Sequence, residues 1–193
     1  TNVEALADWT AALLDATGVA SAALVGHSLG ALVALHAAAR HPARVRGIAL
    51  LGPAVPMTVS DSLLELAAAD DPRARELIVG WSYSAAVQLG GSPVPGMWLP
   101  GTARRLMQRM RPGVLATDLL ACHRYAAGLA AAAQVRCPAL LILAGRDIMA
   151  PPRNAQALAA ALPQHQAVTL PRCGHALMAE EPDAVREALL AFC

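Results

Sequence analysis

The sequence predicts an α/β fold, with a parallel sheet of about four strands and an all-helical cap inserted between its second and third strands. Two observations support this. At both ends of the 193-residue chain, short apolar runs of strand length alternate with stretches of helical periodicity. Between them, residues 56–135 contain helical patterns and no convincing strand. Because strands that alternate with single helices run parallel, the alternating parts are expected to form one sheet with right-handed crossovers.

The N-terminal part of the chain is predicted to alternate helix, strand, helix and strand. The predicted elements are 3–14, 21–25, 31–40 and 45–51. Asn2 stands where a helix N-cap is expected, and Gly18 follows shortly after the end of the first helix. The second strand is predicted to be buried, and Gly52 and Pro53 close it.

The middle of the chain is predicted to be helical. Its helices are 61–69, 72–89, 102–110 and 114–133, with an irregular glycine- and proline-rich connection at 90–96. From Pro138 onward the alternation of strand and helix returns, with a strand at 139–144, a helix at 152–162, a strand at 166–170 and a helix at 183–192. Pro182 stands at the entry to the last helix. The chain therefore divides into an α/β core, 1–55 and 136–193, and a helical cap, 56–135, expected over the end of the sheet.

Charge and cysteine content narrow the function classes. A formal net charge of +1 gives no electrostatic case for nucleic acid or an anionic membrane as a partner. Residues 16–39 contain no Asp, Glu, Lys or Arg, but glycines divide the stretch into a strand and a helix, so no membrane span is predicted. The cysteines are Cys122, Cys137, Cys173 and Cys193. Their wide spacing favours a reduced cytoplasmic protein, and no histidine or cysteine spacing indicates a metal or a cofactor.

A serine between the first strand and the second helix is the strongest functional signal. The segment Gly26-His27-Ser28-Leu29-Gly30 has the G-x-S-x-G pattern of a nucleophile elbow, in the strand–turn–helix setting that the motif requires. The tight turn is expected to strain the backbone of Ser28 and to push its hydroxyl out of the sheet. A β-carbon at Gly26 or Gly30 is expected to collide with a neighbouring strand or helix. The helix N-terminus would favour negative charge beside Ser28.

Two further residues follow later strands of the predicted sheet. Asp147 comes just after the third strand, and His175 just after the fourth. Since the carboxyl ends of parallel strands open at one edge, Ser28, Asp147 and His175 are expected to converge there. A serine needs a base, and the base needs an orienting acid, so this set suits nucleophilic catalysis.

Four segments resemble the α/β-hydrolase superfamily, in its capped, cofactor-free branch of esterases, lactonases and carbon–carbon hydrolases. They are Leu24-Val25-Gly26-His27-Ser28-Leu29-Gly30-Ala31, Cys137-Pro138-Ala139-Leu140-Leu141-Ile142-Leu143-Ala144-Gly145-Arg146-Asp147, Gly174-His175 and Glu181-Pro182. The resemblance implies Ser28 as nucleophile, His175 as general base and then acid, and Asp147 as the residue that orients His175. It also implies that the backbone N–H of Leu29 is one oxyanion donor.

The resemblance also has a departure. Members of the superfamily have further strands upstream of the segment that matches here, together with a loop that supplies a second oxyanion donor. The chain therefore resembles the C-terminal part of a hydrolase. We expect the first strand to form an apolar sheet edge, and residues 1–193 alone to fold poorly.

Bulky residues of the cap are the candidates for substrate contact: Trp81, Met97, Trp98 and His123. Such residues more often pack than bind, but a cap has one face over the active site, so some are expected to line an acyl pocket. His27 is expected to be structural, with its side chain turned away from the attacked carbonyl. A solvated helix face is expected for the arginines, Arg104, Arg105, Arg109 and Arg111, rather than a carboxylate site.

These features predict hydrolysis of a small, uncharged, moderately hydrophobic carboxylic ester or lactone through an acyl-Ser28 intermediate. One alternative is a carbon–carbon hydrolase of ring-fission diketones that uses the same residues. Another is a non-catalytic binding protein or an inactive fragment with this fold. The expected partner is a small-molecule substrate, and the oligomeric state stays open.

Overall fold

A parallel four-stranded sheet forms the centre of the protein, as predicted. The computed structural model describes residues 1–92 and 96–192, so part of the predicted 90–96 connection and Cys193 lie outside the described residues. The strands are β1 (Ala22–His27), β2 (Val45–Leu51), β3 (Ala139–Ala144) and β4 (His165–Leu170). They lie in the order β1-β2-β3-β4, and every pair is parallel. The predicted fold class is confirmed.

Helices precede, separate and follow the strands. They are α1 (Val3–Ala16), α2 (Leu29–Arg40), α3 (Asp61–Ala68), α4 (Pro72–Ser82), α5 (Ala85–Gln88), α6 (Leu99–Met107), α7 (Val114–Arg124), α8 (Gly128–Gln134), α9 (Gln156–Ala161), α10 (Leu177–Glu180) and α11 (Pro182–Phe192). A short 3-10 turn, Pro152–Ala155, precedes α9. The predicted N-cap is confirmed, since the Asn2 side chain accepts a hydrogen bond from the Ala5 N–H at 2.8 Å. No helix in the described ranges is long and apolar enough to cross a membrane.

The two central strands, β2 and β3, are buried on both faces of the sheet. Ile48 and Leu50 of β2 belong to the core cluster on the side of α1, α2 and α9. The alternate residues Ala49 and Leu51 belong to a second core cluster on the other face, to which α11 contributes the buried side chain of Val185. Because successive side chains of a strand point to opposite faces, β2 needs apolar residues at nearly every position.

The prediction of one continuous helix at 72–89 is wrong, because the structure has two helices there, α4 and α5. The chain leaves the helix at Tyr83, whose φ of −113° and ψ of 143° are extended, and resumes as α5. The physical reason is tertiary. The Ser82 carbonyl accepts a hydrogen bond from the Ala176 N–H at 2.8 Å, and the Ser84 N–H donates to the Glu180 carboxylate at 3.0 Å. These bonds replace hydrogen bonds within the helix, and nothing in the local sequence predicts them.

The predicted helix 114–133 is also interrupted, after α7. Tyr125 is buried, and its hydroxyl lies 3.0 Å from Nδ1 of His36 on α2. A β-carbon on Gly128, the first residue of α8, would lie 2.6 Å from Val55. The start of α8 is therefore in close contact with the loop that follows β2. The predicted helix 102–110 begins earlier and ends earlier, as α6, and the short helix α10 was not predicted.

The helical segment between β2 and β3 is built from more than one cluster. Leu63, Ala67 and Ala74 of α3 and α4 form a core with partly buried residues of α7. A second cluster joins Val79 and Leu99 of α4 and α6. Residues of α8 pack instead in the main core beside α2. The division into a core and a cap at 56–135 stays a prediction.

The turn between β1 and α2 has the backbone of an elbow. Ser28 has a φ of 54° and a ψ of −116°, in the region that L-residues rarely adopt. A β-carbon on Gly26 would lie 2.0 Å from the Gly30 carbonyl oxygen, so this position requires glycine. The expected collision at Gly30 is wrong, because a β-carbon there would meet nothing within 4 Å among the described residues. Gly30 faces an open groove beside β1.

The two glycines give a matched pair of substitutions. Gly26→Ala is expected to lower the free energy of unfolding by at least about 3 kcal/mol, because backbone atoms cannot move away without breaking the turn. Gly30→Ala is expected to leave it unchanged or to raise it by about 0.5 to 1 kcal/mol, since alanine favours the helix. Urea unfolding measures both values. A Gly26→Ala protein as stable as the wild type would contradict the turn geometry.

Candidate active site

The three predicted site residues lie at one edge of the sheet. Ser28 follows β1, Asp147 follows β3, and His175 follows β4. All four strands are parallel, so the loops after these strands leave the sheet at its carboxyl edge. Asp147 and His175 are in direct contact there, and both are buried.

Asp147 holds the ring of His175 in one orientation. Its Oδ2 lies 2.7 Å from His175 Nδ1. Its Oδ1 accepts hydrogen bonds from the N–H groups of Met149 and Ala150, each at 2.8 Å, so the carboxylate itself is fixed. Because an ionised carboxylate only accepts hydrogen bonds, His175 Nδ1 carries the proton. The lone pair of Nε2 is then available as a base.

Ser28 lies at the N-terminus of α2. Its side chain makes no capping hydrogen bond, so the hydroxyl is not used to close the helix. Leu29 is the first residue of α2, and the N–H groups of a first helical turn have no partner within the helix. The helix terminus therefore offers backbone donors and a partial positive charge beside the serine.

His27 connects the elbow to the loop that carries His175. Its Nε2 lies 2.8 Å from the backbone carbonyl oxygen of His175, and since a carbonyl can only accept, Nε2 donates. The two imidazole rings are 4.6 Å apart between centroids. Burial, reinforced by the proximity of His175, lowers the pKa of His27 to about 4. The residue next to the serine is therefore neutral, and it holds the backbone of His175.

Gly52, at the end of β2, provides the space that the His175 ring occupies. Its φ is +55°, and a β-carbon there would lie 3.2 Å from Cε1 and 3.3 Å from Nδ1 of His175. In the sequence, Gly52 indicates only the end of a strand. A glycine at the carboxyl end of a buried strand, next to the predicted site edge, was the available signal.

The candidate substrate contacts lie in different local settings. Trp81 packs against the cluster of α3, α4 and α7. Trp98 is 55% exposed, and the Arg104 guanidinium lies 5.4 Å from the centre of its ring. Met97 is also partly exposed. His123 is exposed, with Nδ1 3.0 Å from the carbonyl oxygen of Val59. Their role in substrate binding stays a prediction.

An apolar groove of about 510 Å³ runs along the exposed side of β1. Trp9 of α1, Val25 of β1 and Leu29 of α2 line it, with Asp118 of α7 at its side. Desolvation raises the pKa of Asp118 above its ordinary value. The side chain of Val25 is 53% exposed, in agreement with the expected apolar edge. Within residues 1–92 and 96–192, no three His, Cys, Asp or Glu side chains are grouped to hold a metal ion.

Comparisons with known proteins agree with this geometry. The family model of the alpha/beta hydrolase fold matches residues 1–182. A pimeloyl-[acyl-carrier protein] methyl ester esterase of Chromobacterium violaceum is 32% identical, over 93% of this chain and 73% of the relative. A putative carbamate hydrolase RutD of Pantoea ananatis is 29% identical, over 98% of this chain and 70% of the relative.

Among solved structures, the enol-lactonase of Burkholderia xenovorans LB400 superposes with a TM-score of 0.88. The match covers 100% of this chain and 73% of the lactonase, at 23% sequence identity, so it speaks for the fold alone. The resemblance found in the sequence is confirmed: the chain belongs to the α/β-hydrolase family.

Proposed function

We propose that this protein is a serine hydrolase that cleaves a small, uncharged, moderately hydrophobic carboxylic ester or lactone. The observation that carries the proposal is the 2.7 Å contact between His175 Nδ1 and Asp147 Oδ2, at the sheet edge where Ser28 precedes α2. A base with a fixed tautomer, at the same sheet edge as a serine at a helix N-terminus, is the arrangement that acyl transfer requires.

In the first half of the reaction, Ser28 Oγ attacks the carbonyl carbon of the ester. His175 Nε2 takes the proton of the hydroxyl as the new C–O bond forms. The negative charge that develops on the carbonyl oxygen is stabilised by the Leu29 N–H at the start of α2. When the ester bond breaks, His175 gives its proton to the leaving alcohol, and an acyl-Ser28 ester remains.

In the second half, water replaces the alcohol. His175 Nε2 takes a proton from the water, whose oxygen attacks the acyl carbon. The Ser28–acyl bond breaks, Oγ recovers a proton from His175, and the carboxylic acid leaves. Asp147 stabilises the protonated imidazole in both halves, because its Oδ2 already accepts the Nδ1–H.

The names of the curated relatives support hydrolysis of an ester in general. One relative is a pimeloyl-[acyl-carrier protein] methyl ester esterase and another is a putative carbamate hydrolase. Neither name refers to cleavage of a carbon–carbon bond. The bulky side chains of the helical segment, Trp81, Met97, Trp98 and His123, remain the candidates for contact with the acyl or alcohol group.

Removal of the nucleophile gives the direct test. Ser28→Ala is expected to lower kcat for p-nitrophenyl butyrate by at least about 10⁴-fold and to leave the thermal midpoint nearly unchanged, because only the hydroxyl is lost. His175→Ala is expected to abolish labelling of Ser28 by a fluorophosphonate, measured by peptide mass spectrometry. Ser62→Ala, an exposed serine on α3, is the matched control and should keep full activity. Substantial turnover by Ser28→Ala would reject the mechanism and favour a non-catalytic role for this site.

A substrate panel separates the two hydrolytic alternatives. Esters and lactones of short, uncharged acids are expected to have a higher kcat/KM than a vinylogous ring-fission diketone, because the curated relatives are named for a methyl ester and, putatively, for a carbamate. Initial rates at several substrate concentrations give the ratio. Faster cleavage of the diketone, with the same dependence on Ser28, would assign the protein to carbon–carbon hydrolysis instead.

The buried His27 predicts a pH dependence of stability. Its pKa falls from 6.5 to about 4 on folding, so between these values the unfolded chain binds a proton that the folded chain does not. The contribution of neutral His27 to the free energy of unfolding is therefore lost as the pH falls from 6.5 toward 4. Relative to His27→Gln, the wild type is expected to lose at most about 3 kcal/mol of unfolding free energy across this window. Urea unfolding of both proteins at pH 7, 6, 5 and 4 measures this difference, and parallel curves would contradict it.

A further inference from the structure

Glu180 is a buried carboxylate that the proposed reaction does not use. It ends α10, and only 5% of its surface is exposed. Its Oε1 accepts two backbone hydrogen bonds, from the N–H of Gly174 and from the N–H of Ser84, each at 3.0 Å. Removing a charged carboxylate from water is costly, and two N–H donors offset part of that cost. A leucine at this place would leave both N–H groups buried without this acceptor, so the carboxylate serves these two donors.

The two donors belong to segments that meet at the active site. Gly174 precedes His175 directly, whereas Ser84 lies between α4 and α5 of the helical segment. On the other side of His175, the Ala176 N–H donates to the Ser82 carbonyl at 2.8 Å. The residues on both sides of His175 are thus hydrogen-bonded, through Glu180 or directly, to the α4–α5 junction.

The packing around Gly174 is as tight as the hydrogen bonding. A β-carbon there would lie 2.8 Å from the Ser84 nitrogen, 2.9 Å from Glu180 Oε1 and 3.0 Å from the Ser82 carbonyl oxygen. No side chain fits between these three atoms, which explains why glycine precedes His175. The Glu180 oxygen lies between the two N–H groups and accepts from both, beside the direct bond between Ala176 and Ser82.

The charge of Glu180 also affects the neighbouring side chains of Tyr83 and Cys173. Burial raises the pKa of Tyr83, and the negative charge of Glu180 raises it further. Burial also raises the pKa of the Cys173 thiol to about 12, with Glu180 as the largest charged contributor. Tyr83 precedes the donor Ser84 in sequence and Cys173 precedes the donor Gly174, in agreement with the hydrogen bonds that place the carboxylate between the two segments.

We propose that Glu180 is a positioning residue for His175: its carboxylate joins the loop before His175 to the α4–α5 junction and so fixes the imidazole against Asp147. The proposal rests on the proposed function for its catalytic consequence. The ring position matters because a displacement of about 1 Å in a catalytic group costs up to roughly 10²-fold in rate. His27 and Asp147 hold the carbonyl and the ring of His175, and Glu180 holds the backbone before it.

Two variants remove the contact from opposite sides. Glu180→Ala deletes the acceptor. Ser84→Pro deletes one donor and places a ring carbon against the Glu180 oxygen, while the Ser84 φ of −61° after an extended Tyr83 suits the proline backbone. Glu180→Gln is the conservative variant, because its amide oxygen can still accept both N–H groups. Ser60→Pro is the matched control for Ser84→Pro, since Ser60 is also a helix N-cap, with a φ of −65° and a ψ of 145°.

The kinetic expectation is a split between kcat and KM. Glu180→Ala and Ser84→Pro are expected to lower kcat for p-nitrophenyl butyrate by roughly 10- to 100-fold with little change in KM. Glu180→Gln should recover most of that loss, and Ser60→Pro should keep the wild-type kcat. Val185→Ala shortens a buried side chain of α11 in the core cluster that also contains Cys173 and Leu177. It controls for lost stability and should keep the wild-type kcat. Folded Glu180→Ala or Ser84→Pro protein with wild-type kcat would overturn the proposal.

A second measurement does not depend on activity. The proton on His175 Nδ1, donated to Asp147, is expected to give a strongly downfield NMR signal in the wild type and in Glu180→Gln. The signal should broaden or vanish in Glu180→Ala and Ser84→Pro, and its persistence there would overturn the proposal. If the wild type hydrolysed no ester, the proposed function would fail, while this signal would still decide the role of Glu180. If both variants failed to fold, hydrogen exchange of the wild type would decide, since rapid exchange of the Gly174 and Ser84 amides would overturn the contact.

Discussion

The parallel pairing of the four strands is the constraint on which the site depends. The central strands β2 and β3 are covered on both faces, by α2 and α9 on one side and by α11 on the other, so they cannot slip without exposing apolar side chains. Because every strand pair is parallel, the loops after β1, β3 and β4 leave at the same edge. Residues far apart in the chain are therefore neighbours before any of their own interactions form.

Those interactions then refine the position of one imidazole. Asp147 accepts the Nδ1–H, His27 donates to the backbone carbonyl of His175, and the surrounding loop is hydrogen-bonded to the α4–α5 junction. Gly52 leaves the space for the ring. The contacts come from the ends of three strands and from the helical segment. Sheet geometry alone thus brings His175 to the right edge, and hydrogen bonds from several directions orient it.

Sequence reasoning succeeded where a signal and its structural cause lie in the same short segment. The four strands, the N-cap at Asn2 and the elbow at Ser28 are of this kind. It failed where a distant partner competes with a local preference. The helix predicted at 72–89 ends at Ser82 because its carbonyl and the Ser84 N–H bind residues that lie more than ninety positions later. Helical periodicity carries no information about such partners.

By itself, the sequence determined the alternation of strands and helices, the strained serine turn, and the sheet edge that carries Ser28, Asp147 and His175. These follow from apolar periodicity, from the G-x-S-x-G pattern and from the rule for parallel strands. Only the tertiary structure decided that Gly30 is open, that Gly52 makes room for the imidazole, and that Glu180 binds the loop before His175. The physical reason is that space and hydrogen-bond partners at a point depend on every segment that folds around it.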